Sequence, residues 1–177
     1  MKNIHKSNIG CGICGKIIIQ PMGNLRSPVL LVGEYPGYKE TIQSLPFAFK
    51  QKPTQTFSGD ILQTELLRVG IMLPMILVTN MWQHQRDEKG CDPALHVDAT
   101  VKLFTDRTHI LLMGSAATMP LIGKKVNEVS GTRVEVSTFK KIHFWAAPNP
   151  ALAYSQPIGE LRLAFQRFAE DIKATTK

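Results

Sequence analysis

Three cysteines are the residues of this chain with the clearest chemistry, and two of them, Cys11 and Cys14, are separated by only two residues. Thiolates at this spacing are typical of metal sites and of redox pairs. The third cysteine is Cys91, so a four-coordinate metal site needs one ligand of another residue type. An odd number of cysteines fits a reducing compartment better than a disulfide scaffold, which favours metal binding or redox chemistry.

The other candidate residues lie in four short segments, each of which follows a short apolar run. These segments read GEYPG (33–37), TN (79–80), GSAA (114–117) and PNPA (148–151). Polar residues, glycine and proline at the end of an apolar run are typical of a buried strand that passes into a loop.

The elements that position these segments alternate along the chain. Short apolar runs predict strands, and apolar residues at helical spacing predict amphipathic helices between them. We therefore expect an α/β fold with three layers (αβα), in which helices cover both faces of a central, mostly parallel sheet. Ligands of such sheets bind beyond the carboxyl ends of the strands, so the four segments should converge. The predicted strands are 28–34, 75–80, 109–114, 133–139 and 142–148. The predicted helices are 58–70, 93–104 and 159–176. The stretch 37–57 is predicted to be a long loop or a short helix beside the site.

Length and composition restrict the class of protein. A chain of 177 residues, 44% hydrophobic and 20% charged, is expected to form one domain spanning 1–177. It contains no apolar run of the roughly 20 residues that span a bilayer and no typical signal peptide, so we expect a soluble, cytoplasmic protein without a membrane partner. A formal net charge of +7 favours a polyanionic partner, nucleic acid first.

Taken in order, the motifs resemble those of the family 4 uracil-DNA glycosylases, the iron-sulfur branch of that superfamily. The resemblance rests on GEYPG (33–37), on TFSGDILQTELLRVGI (56–71), on LVTNMWQH (77–84), on the pattern of Cys91, Pro93 and Leu95, and on LLMGSAA (111–117). It runs from about residue 11 to the last helix and implies a uracil-DNA glycosylase-like fold.

The resemblance also implies a metal site. The family pattern has four cysteines, and His84 stands in the third of these positions, so the implied ligands are Cys11, Cys14, His84 and Cys91. The implied cofactor is a [4Fe-4S] cluster with Cys3His ligation, and Zn²⁺ accepts the same donors. Residues 1–24 then form an N-terminal metal-binding segment, which the metal ties to the loop that follows Asn80.

The implied activity is excision of uracil from single- or double-stranded DNA by hydrolysis of its N-glycosidic bond. Glu34 would orient water or stabilise a cationic sugar, and Asn149 would donate to O2 of the departing uracil. Phe57 would stack on the flipped base and Asn80 would read its edge. Substrate contacts are expected from Gly33, Tyr35, Pro36, Gly37, Phe57 and Asn80, and DNA contacts from Ser58, Gly59, Lys140, Lys141 and Ala151.

Two departures from the family pattern leave other functions open. Tyr35 replaces a small residue, and Asn149 replaces a histidine that donates to uracil O2. An amide still donates a hydrogen bond but lacks the charge that a histidine can carry. The alternatives are a catalytically weak or inactive glycosylase-like protein that binds DNA, a modified base or a replication partner, and a zinc-stabilised nucleotide-binding module. A monomer in a bacterial, archaeal or phage-infected cell is the expected context.

Overall fold

The structure is a computed structural model that describes residues 11–12, 14–85, 91 and 93–175, excluding the side chains of 93–95. The first ten residues of the predicted metal-binding segment lie outside the described residues. The strands are β1 (Met22–Gly23), β2 (Val29–Gly33), β3 (Leu77–Asn80), β4 (His109–Met113), β5 (Arg133–Val134) and β6 (His143–Ala147). The helices are α1 (Tyr38–Gln43), α2 (Ser58–Arg68), α3 (Pro93–Val101), α4 (Ser115–Ile122), α5 (Val126–Val129) and α6 (Gly159–Thr175), with short 3-10 helices at Leu73–Met75, Lys102–Phe104, Ser137–Phe139 and Pro150–Tyr154.

Within the described part of the chain, six strands form one sheet in the order β1-β3-β2-β4-β6-β5. The four inner strands β3, β2, β4 and β6 run parallel, and the two edge strands β1 and β5 are antiparallel to their neighbours. Strand β3 lies on one side of β2, and β4, the next strand along the chain, lies on the other side of β2. The carboxyl ends of β2 and β4 therefore form a topological switch point, where α/β sheets bind their ligands.

Both faces of the sheet are buried. Successive residues of a strand point to opposite faces, so neighbouring residues belong to different core clusters. Leu31 of β2 packs into a cluster with α2 and α6, in which Leu62, Phe165 and Phe168 are fully buried. Leu30, the preceding residue, belongs to a second cluster on the other face. That second cluster contains Leu77, Met81, Phe104, Ile110, Ala117 and Phe144, with Val97 and Val101 of α3 packed against it.

The predicted α/β architecture with a mostly parallel sheet and helices on both faces is confirmed, although several elements differ in extent. The run 133–139 contributes only the two residues of β5, because the backbone turns into a 3-10 helix at Ser137–Phe139. The stretch 37–57, predicted to be a long loop or a short helix, contains the short helix α1. Helices α4 and α5 follow β4 where the sequence predicted no helix, and the predicted last residue of the final helix, Thr176, lies outside the described residues.

Searching the described residues reveals no helix with the length and apolar character needed to cross a membrane.

Candidate functional site

A pocket of about 300 Å³ opens at the carboxyl end of the sheet. This volume lies at the lower end of the range for small-molecule sites. Three of the four segments singled out in the sequence contribute lining residues, because their strands are parallel and end at the same edge. The lining residues are Glu34, Tyr35, Gly37, Glu40, Pro46, Phe47, Ser58, Asn80, Asn149, Ala151 and Leu152.

The Glu34 side chain lies across the switch point between β2 and β4. It packs directly over Gly114, the residue that follows β4, and a Cβ atom at Gly114 would collide with the Glu34 carboxyl group. Gly114 also has a φ of +93°, a conformation that side-chain-bearing residues rarely adopt. The glycine of the third segment therefore makes room for the carboxylate of the first.

Two hydrogen bonds fix the Glu34 carboxylate. Oε1 accepts from the backbone N–H of Ala116 at 2.8 Å, in the first turn of α4. Oε2 accepts from Nδ2 of Asn149, also at 2.8 Å. The partial positive charge at the N-terminus of α4 favours a negative group at this position. The pocket therefore presents a carboxylate held in one orientation by groups from two other loops.

Asn149 is fixed on both sides of its amide. Its Oδ1 accepts from the backbone N–H of Ala151 at 3.0 Å and so caps the 3-10 helix that begins at Pro150. Its Nδ2 carries two N–H groups, and the bond to Glu34 uses one of them. The second N–H is oriented by the same two contacts and is available to a ligand in the pocket.

Asn80 and Phe47 form the inner wall of the pocket. Both side chains are buried, and Nδ2 of Asn80 donates to the Pro46 carbonyl at 2.8 Å. The Phe47 ring and Oδ1 of Asn80 lie so close to Gly33 that a Cβ atom there would overlap both. Oδ1 and one N–H of Asn80 remain for an edge-on contact with a planar ligand.

Glu40 connects the loop that carries Phe47 to the start of α2. Its Oε1 accepts from Oγ of Ser58 at 2.7 Å and from the backbone N–H of Ala48 at 3.2 Å. Ala48 O in turn accepts from the N–H of Gly59 at 2.8 Å, an approach so close that a Cβ at Gly59 would collide with it. This network holds Phe47 against Gly33.

The structure brings together most, but not all, of the predicted substrate residues. Tyr35 lines the pocket and is 39% exposed, so it stands at the rim, whereas Pro36 is buried beneath it in the loop. Phe57 precedes α2 and does not line the pocket; its ring lies under Nζ of Lys39, 6.0 Å away. The phenylalanine that lines the pocket is instead Phe47. A stacking role for Phe57 stays a prediction without support from its position.

The predicted DNA contacts fall into two groups. Ser58 and Ala151 line the pocket, and Gly59 adjoins it. Lys140 and Lys141 precede β6 and lie at the amino end of the parallel strands, because β6 begins at His143. The two lysines are thus at the opposite end of the sheet from Glu34, and the structure does not bring them to the pocket.

Glu40, Pro46 and Phe47 are site residues that the sequence interpretation did not single out. Glu40 had a signal, since it is an acidic residue shortly after GEYPG, a motif followed by acidic residues in the family that the chain resembles. Phe47 had none, because an aromatic residue in an irregular stretch carries no periodicity.

A second group of polar side chains lies beyond β3. The ligand atoms of Cys11, His84, Cys91 and His96 all lie within 4.8 Å of one another, and the four residues are buried. Cys14, which is half-buried, places its Sγ 3.4 Å from Nε2 of His84. The four predicted ligands therefore come together as expected, and His96 joins them. This donor set could bind a metal ion.

The remaining distances describe how closely the donors pack. Sγ of Cys11 and Sγ of Cys91 are 3.6 Å apart, and Nε2 of His84 is 3.4 Å from Sγ of Cys91. Nε2 of His96 is 3.2 Å from the same sulfur. His96 also stacks on Trp82 and meets His84 edge to face, with ring centroids 5.8 and 4.4 Å apart.

Backbone hydrogen bonds of Cys11 and Gly15 close a tight turn that carries Cys11 and Cys14. The N–H of Gly15 donates to the Cys11 carbonyl at 2.8 Å, and the N–H of Cys11 donates to the Lys16 carbonyl at 2.7 Å. Gly15 has a φ of +69°, which favours glycine immediately after the second cysteine. The turn places the Cys11 sulfur beside Cys91 and the Cys14 sulfur beside His84.

The protein environment by itself disfavours a free thiolate in this group. Burial, followed by the neighbouring Cys11 and Cys14 thiols, raises the pKa of Cys91 to about 12. Burial, followed by the charge of His84, lowers the pKa of His96. A bound cation would reverse this preference at the cysteines, because coordination deprotonates a thiol.

The chain directly connects the two groups of residues. After β3, the N–H groups of Met81 and Trp82 donate to the carbonyls of Gly33 and Glu34 at 2.8 and 2.9 Å. His84 is only two residues further along. The backbone that carries the pocket carboxylate is therefore hydrogen-bonded to the loop that carries a candidate metal ligand.

Comparison of the chain with models of known protein families finds no matching family, and comparison with curated proteins finds no significant match.

Proposed function

We propose that this protein is a uracil-DNA glycosylase of the type that its motifs resemble, which flips uracil out of DNA and hydrolyses its N-glycosidic bond. The observation that carries the proposal is the fixed Glu34 carboxylate, which meets the Asn149 amide at 2.8 Å in a pocket of about 300 Å³ at the switch point of the sheet. Base excision needs this pair of functions, an anionic group near the sugar and a donor near the departing base.

Recognition of the flipped base would fall to Phe47 and Asn80. The Phe47 ring supplies an apolar face for stacking, and stacking is worth about 1–3 kcal/mol per base. Oδ1 of Asn80 can accept from N3–H of uracil while its remaining N–H donates to O4. Cytosine presents an acceptor at N3 and an amino group at position 4, so both contacts would be lost. This arrangement supports selection of uracil over cytosine.

The chemical step breaks the bond between C1′ of the sugar and N1 of uracil. The bonding electrons move to N1 and spread to O2, where the second N–H of Asn149 would donate to the developing negative charge. A water molecule adds to C1′ and loses a proton to Glu34 or to solvent. The Glu34 carboxylate also opposes the positive charge that develops on the sugar.

The metal group would act on structure and not on the chemical step. It joins the N-terminal turn at Cys11 to the loop that follows β3, and that loop is hydrogen-bonded to the backbone of Gly33 and Glu34. The resemblance implies a [4Fe-4S] cluster, with Zn²⁺ as the alternative; either would need the same three cysteines and His84.

The test is cleavage of a uracil-containing oligonucleotide after alkaline treatment, with wild type beside Glu34→Gln. This substitution keeps the size of the side chain but removes its charge and one of its two acceptor oxygens. We expect wild type to release uracil and Glu34→Gln to lose about a hundredfold or more in rate. Glu160→Gln, an exposed carboxylate in the first turn of α6, is the matched control and should retain full activity.

A second candidate is a glycosylase-like protein that binds DNA or a modified base without excision. It is favoured by Tyr35, whose phenol stands at the pocket rim where the family has a small residue. Gel-shift binding of uracil DNA without any base release, unchanged in Tyr35→Ala, would establish binding alone. Release that begins only in Tyr35→Ala would show that the phenol blocks an otherwise competent pocket.

A further inference from the structure

We infer that the cysteine-histidine group holds one tetrahedrally coordinated metal ion of the zinc class, and not the four-iron cluster that the family resemblance implies. The ligands are Cys11, Cys14, His84 and Cys91, and His96 hydrogen-bonds to the Cys91 sulfur from outside the coordination sphere. The inference rests on the spacing of the donor atoms and is independent of the proposed glycosylase activity.

Three distances between the donor atoms match edges of one tetrahedron. Bond lengths of about 2.3 Å to sulfur and about 2.0 Å to nitrogen place two sulfurs about 3.8 Å apart and a sulfur and a nitrogen about 3.5 Å apart. The Cys11 and Cys91 sulfurs are 3.6 Å apart. Nε2 of His84 is 3.4 Å from the sulfurs of both Cys14 and Cys91. Each of these three distances is within about 0.2 Å of the tetrahedral value.

A four-iron cluster needs a different arrangement. Each protein ligand binds a different iron, and the irons and sulfides of the cubane lie between the ligands. Ligand atoms around a cluster are therefore held well beyond contact with one another. Here the sulfurs of Cys11 and Cys91 and the ring nitrogens of His84 and His96 lie within 4.8 Å of one another, which leaves no room for the cluster between them.

The ring of His84 is oriented as a metal ligand. Its Nδ1 lies 2.7 Å from the carbonyl oxygen of Gln85, which can only accept, so Nδ1 carries the hydrogen. In the neutral ring, Nε2 then presents its lone pair to the thiols of Cys14 and Cys91. A backbone carbonyl that fixes the tautomer of a histidine is the usual outer partner of a metal-bound imidazole.

Five donors compete for four positions, and the local geometry distinguishes them. The turn at Cys11 and Cys14 is closed by two backbone hydrogen bonds and by Gly15 at positive φ. It carries one sulfur 3.6 Å from Sγ of Cys91 and another 3.4 Å from Nε2 of His84. Nε2 of His96 is 3.2 Å from the Cys91 sulfur, shorter than the tetrahedral edge of about 3.5 Å. The shorter distance fits an N–H group that donates to a thiolate. His96 is therefore a positioning residue, held by its stacking on Trp82.

The first test is the metal content of the purified wild-type protein. The protein is produced in cells supplied with both iron and zinc, purified without oxygen, and analysed for both metals and for acid-labile sulfide. We expect one zinc per chain, no sulfide and no visible absorption. Iron in a four-to-one ratio to protein with matching sulfide overturns the inference, as does a single iron without zinc.

The second test identifies the ligands through Co²⁺, whose electronic spectrum reports coordination number and thiolate count. Wild type should give the strong visible bands of a tetrahedral site and a sulfur-to-cobalt charge-transfer band for three thiolates. Cys14→Ser should lose about a third of that charge-transfer intensity, since one thiolate of three is removed. His96→Gln should keep the band positions and intensity but bind the ion about 10- to 100-fold more weakly, as loss of an outer hydrogen bond does.

His143→Gln is the matched control, because it removes a histidine remote from the metal group and should change neither spectrum nor affinity. If His96→Gln shifts the visible bands while Cys14→Ser leaves the charge-transfer intensity unchanged, His96 is the fourth ligand and the assigned set is overturned. These spectra and metal contents do not depend on uracil excision, so failure of the glycosylase proposal leaves them interpretable.

Discussion

Asn149 and Glu34 are separated by 115 positions in the chain, yet the Asn149 amide donates to the Glu34 carboxylate at 2.8 Å. The contact joins the loop after β6 to the loop after β2 across the intervening strand β4. Because Ala116 holds the other carboxylate oxygen, Glu34 is restrained from both sides. The pair defines the polar end of the pocket.

Replacing Asn149 with aspartate should separate the geometric role of this contact from its chemical role. A carboxylate at position 149 would face Glu34 at hydrogen-bond distance, and two like charges there repel each other. We expect Asn149→Asp to lower the free energy of unfolding by about 1–3 kcal/mol at neutral pH, measured by urea denaturation. Asn149→Ala should lose less stability, and equal losses would argue against direct contact with Glu34.

Replacing Asn149 with histidine tests the departure from the family pattern. An imidazole can carry positive charge as uracil departs, whereas an amide cannot. If excision is the function, Asn149→His should raise the single-turnover rate on uracil DNA by about tenfold or more. The comparison is made at saturating enzyme, so that weaker binding cannot mimic slower chemistry. An unchanged or lower rate would show that the amide is suited to a different ligand.

Phe47 and Phe57 form a matched pair for testing the stacking role. Phe47→Leu should lower the free energy of unfolding by about 1–2 kcal/mol, because the ring is buried. It should also weaken binding of a uracil-containing oligonucleotide by the about 1–3 kcal/mol that base stacking contributes. Phe57→Leu should leave binding nearly unchanged, since this ring does not line the pocket. If binding is instead weakened by Phe57→Leu and not by Phe47→Leu, Phe57 is the stacking residue.

Metal removal should affect the pocket through the backbone. The amides of Met81 and Trp82 donate to the carbonyls of Gly33 and Glu34, and Trp82 is two residues before the candidate ligand His84. We expect a strong chelator to lower the melting temperature and to increase hydrogen exchange at these two amides, because binding of the ion stabilises only the folded loop. Exchange at Phe144 in β6 serves as the control. Equal increases at all three positions would indicate global unfolding instead.

The amino end of the sheet should make stability sensitive to acid. His109 is buried there, and its ring nitrogens lie 2.8 Å from the hydroxyl of Thr108 and 3.1 Å from that of Thr175. Burial lowers the pKa of His109, an effect that the Asp171 carboxylate partly offsets and the charges of His143 and Arg133 reinforce.

The unfolded chain therefore takes up a proton at a higher pH than the folded protein does. Stability from the neutral His109 ring is present above the unfolded pKa of about 6.5 and is lost as the pH falls below that value toward the lower folded pKa. Burial alone would raise the pKa of Asp171, but hydrogen bonds from Trp145 and His143 and the histidine charges lower it. The contribution of the Asp171 carboxylate to the free energy of unfolding is present above a pH of about 4, the unfolded pKa, and is lost as the pH falls below that value.

Urea denaturation at pH 7.5 and 5.5 checks this prediction. The free energy of unfolding of wild type should fall between the two values by more than that of His109→Gln, which keeps a polar side chain but has no proton to gain. The comparison is made with metal-loaded protein throughout. An equal decrease in the free energy of unfolding of both proteins would rule out His109 as the cause of the sensitivity to acid.

The amino-acid pattern is sufficient to predict the sheet and the positions of its functional loops. Apolar runs of strand length, separated by helical periodicity, require a parallel sheet buried on both faces, and this arrangement brings Glu34, Asn80 and Asn149 to one edge. The type and spacing of Cys11 and Cys14 likewise predict a metal site, and the family resemblance supplies His84 and Cys91 as its other ligands. The structure confirms the sheet and brings these four side chains together, because periodicity and ligand chemistry are local properties of the chain.

The contacts between distant segments follow from the tertiary structure alone. Phe47, and not Phe57, reaches the pocket because an irregular loop folds back and is held by Glu40. Lys140 lies away from the pocket because its segment enters β6 at the amino end of the sheet. His96 joins the cysteines only when α3 packs beside the loop after β3. Such contacts have no local signature, since they depend on how the path of the whole chain orients side chains that lie far apart in sequence.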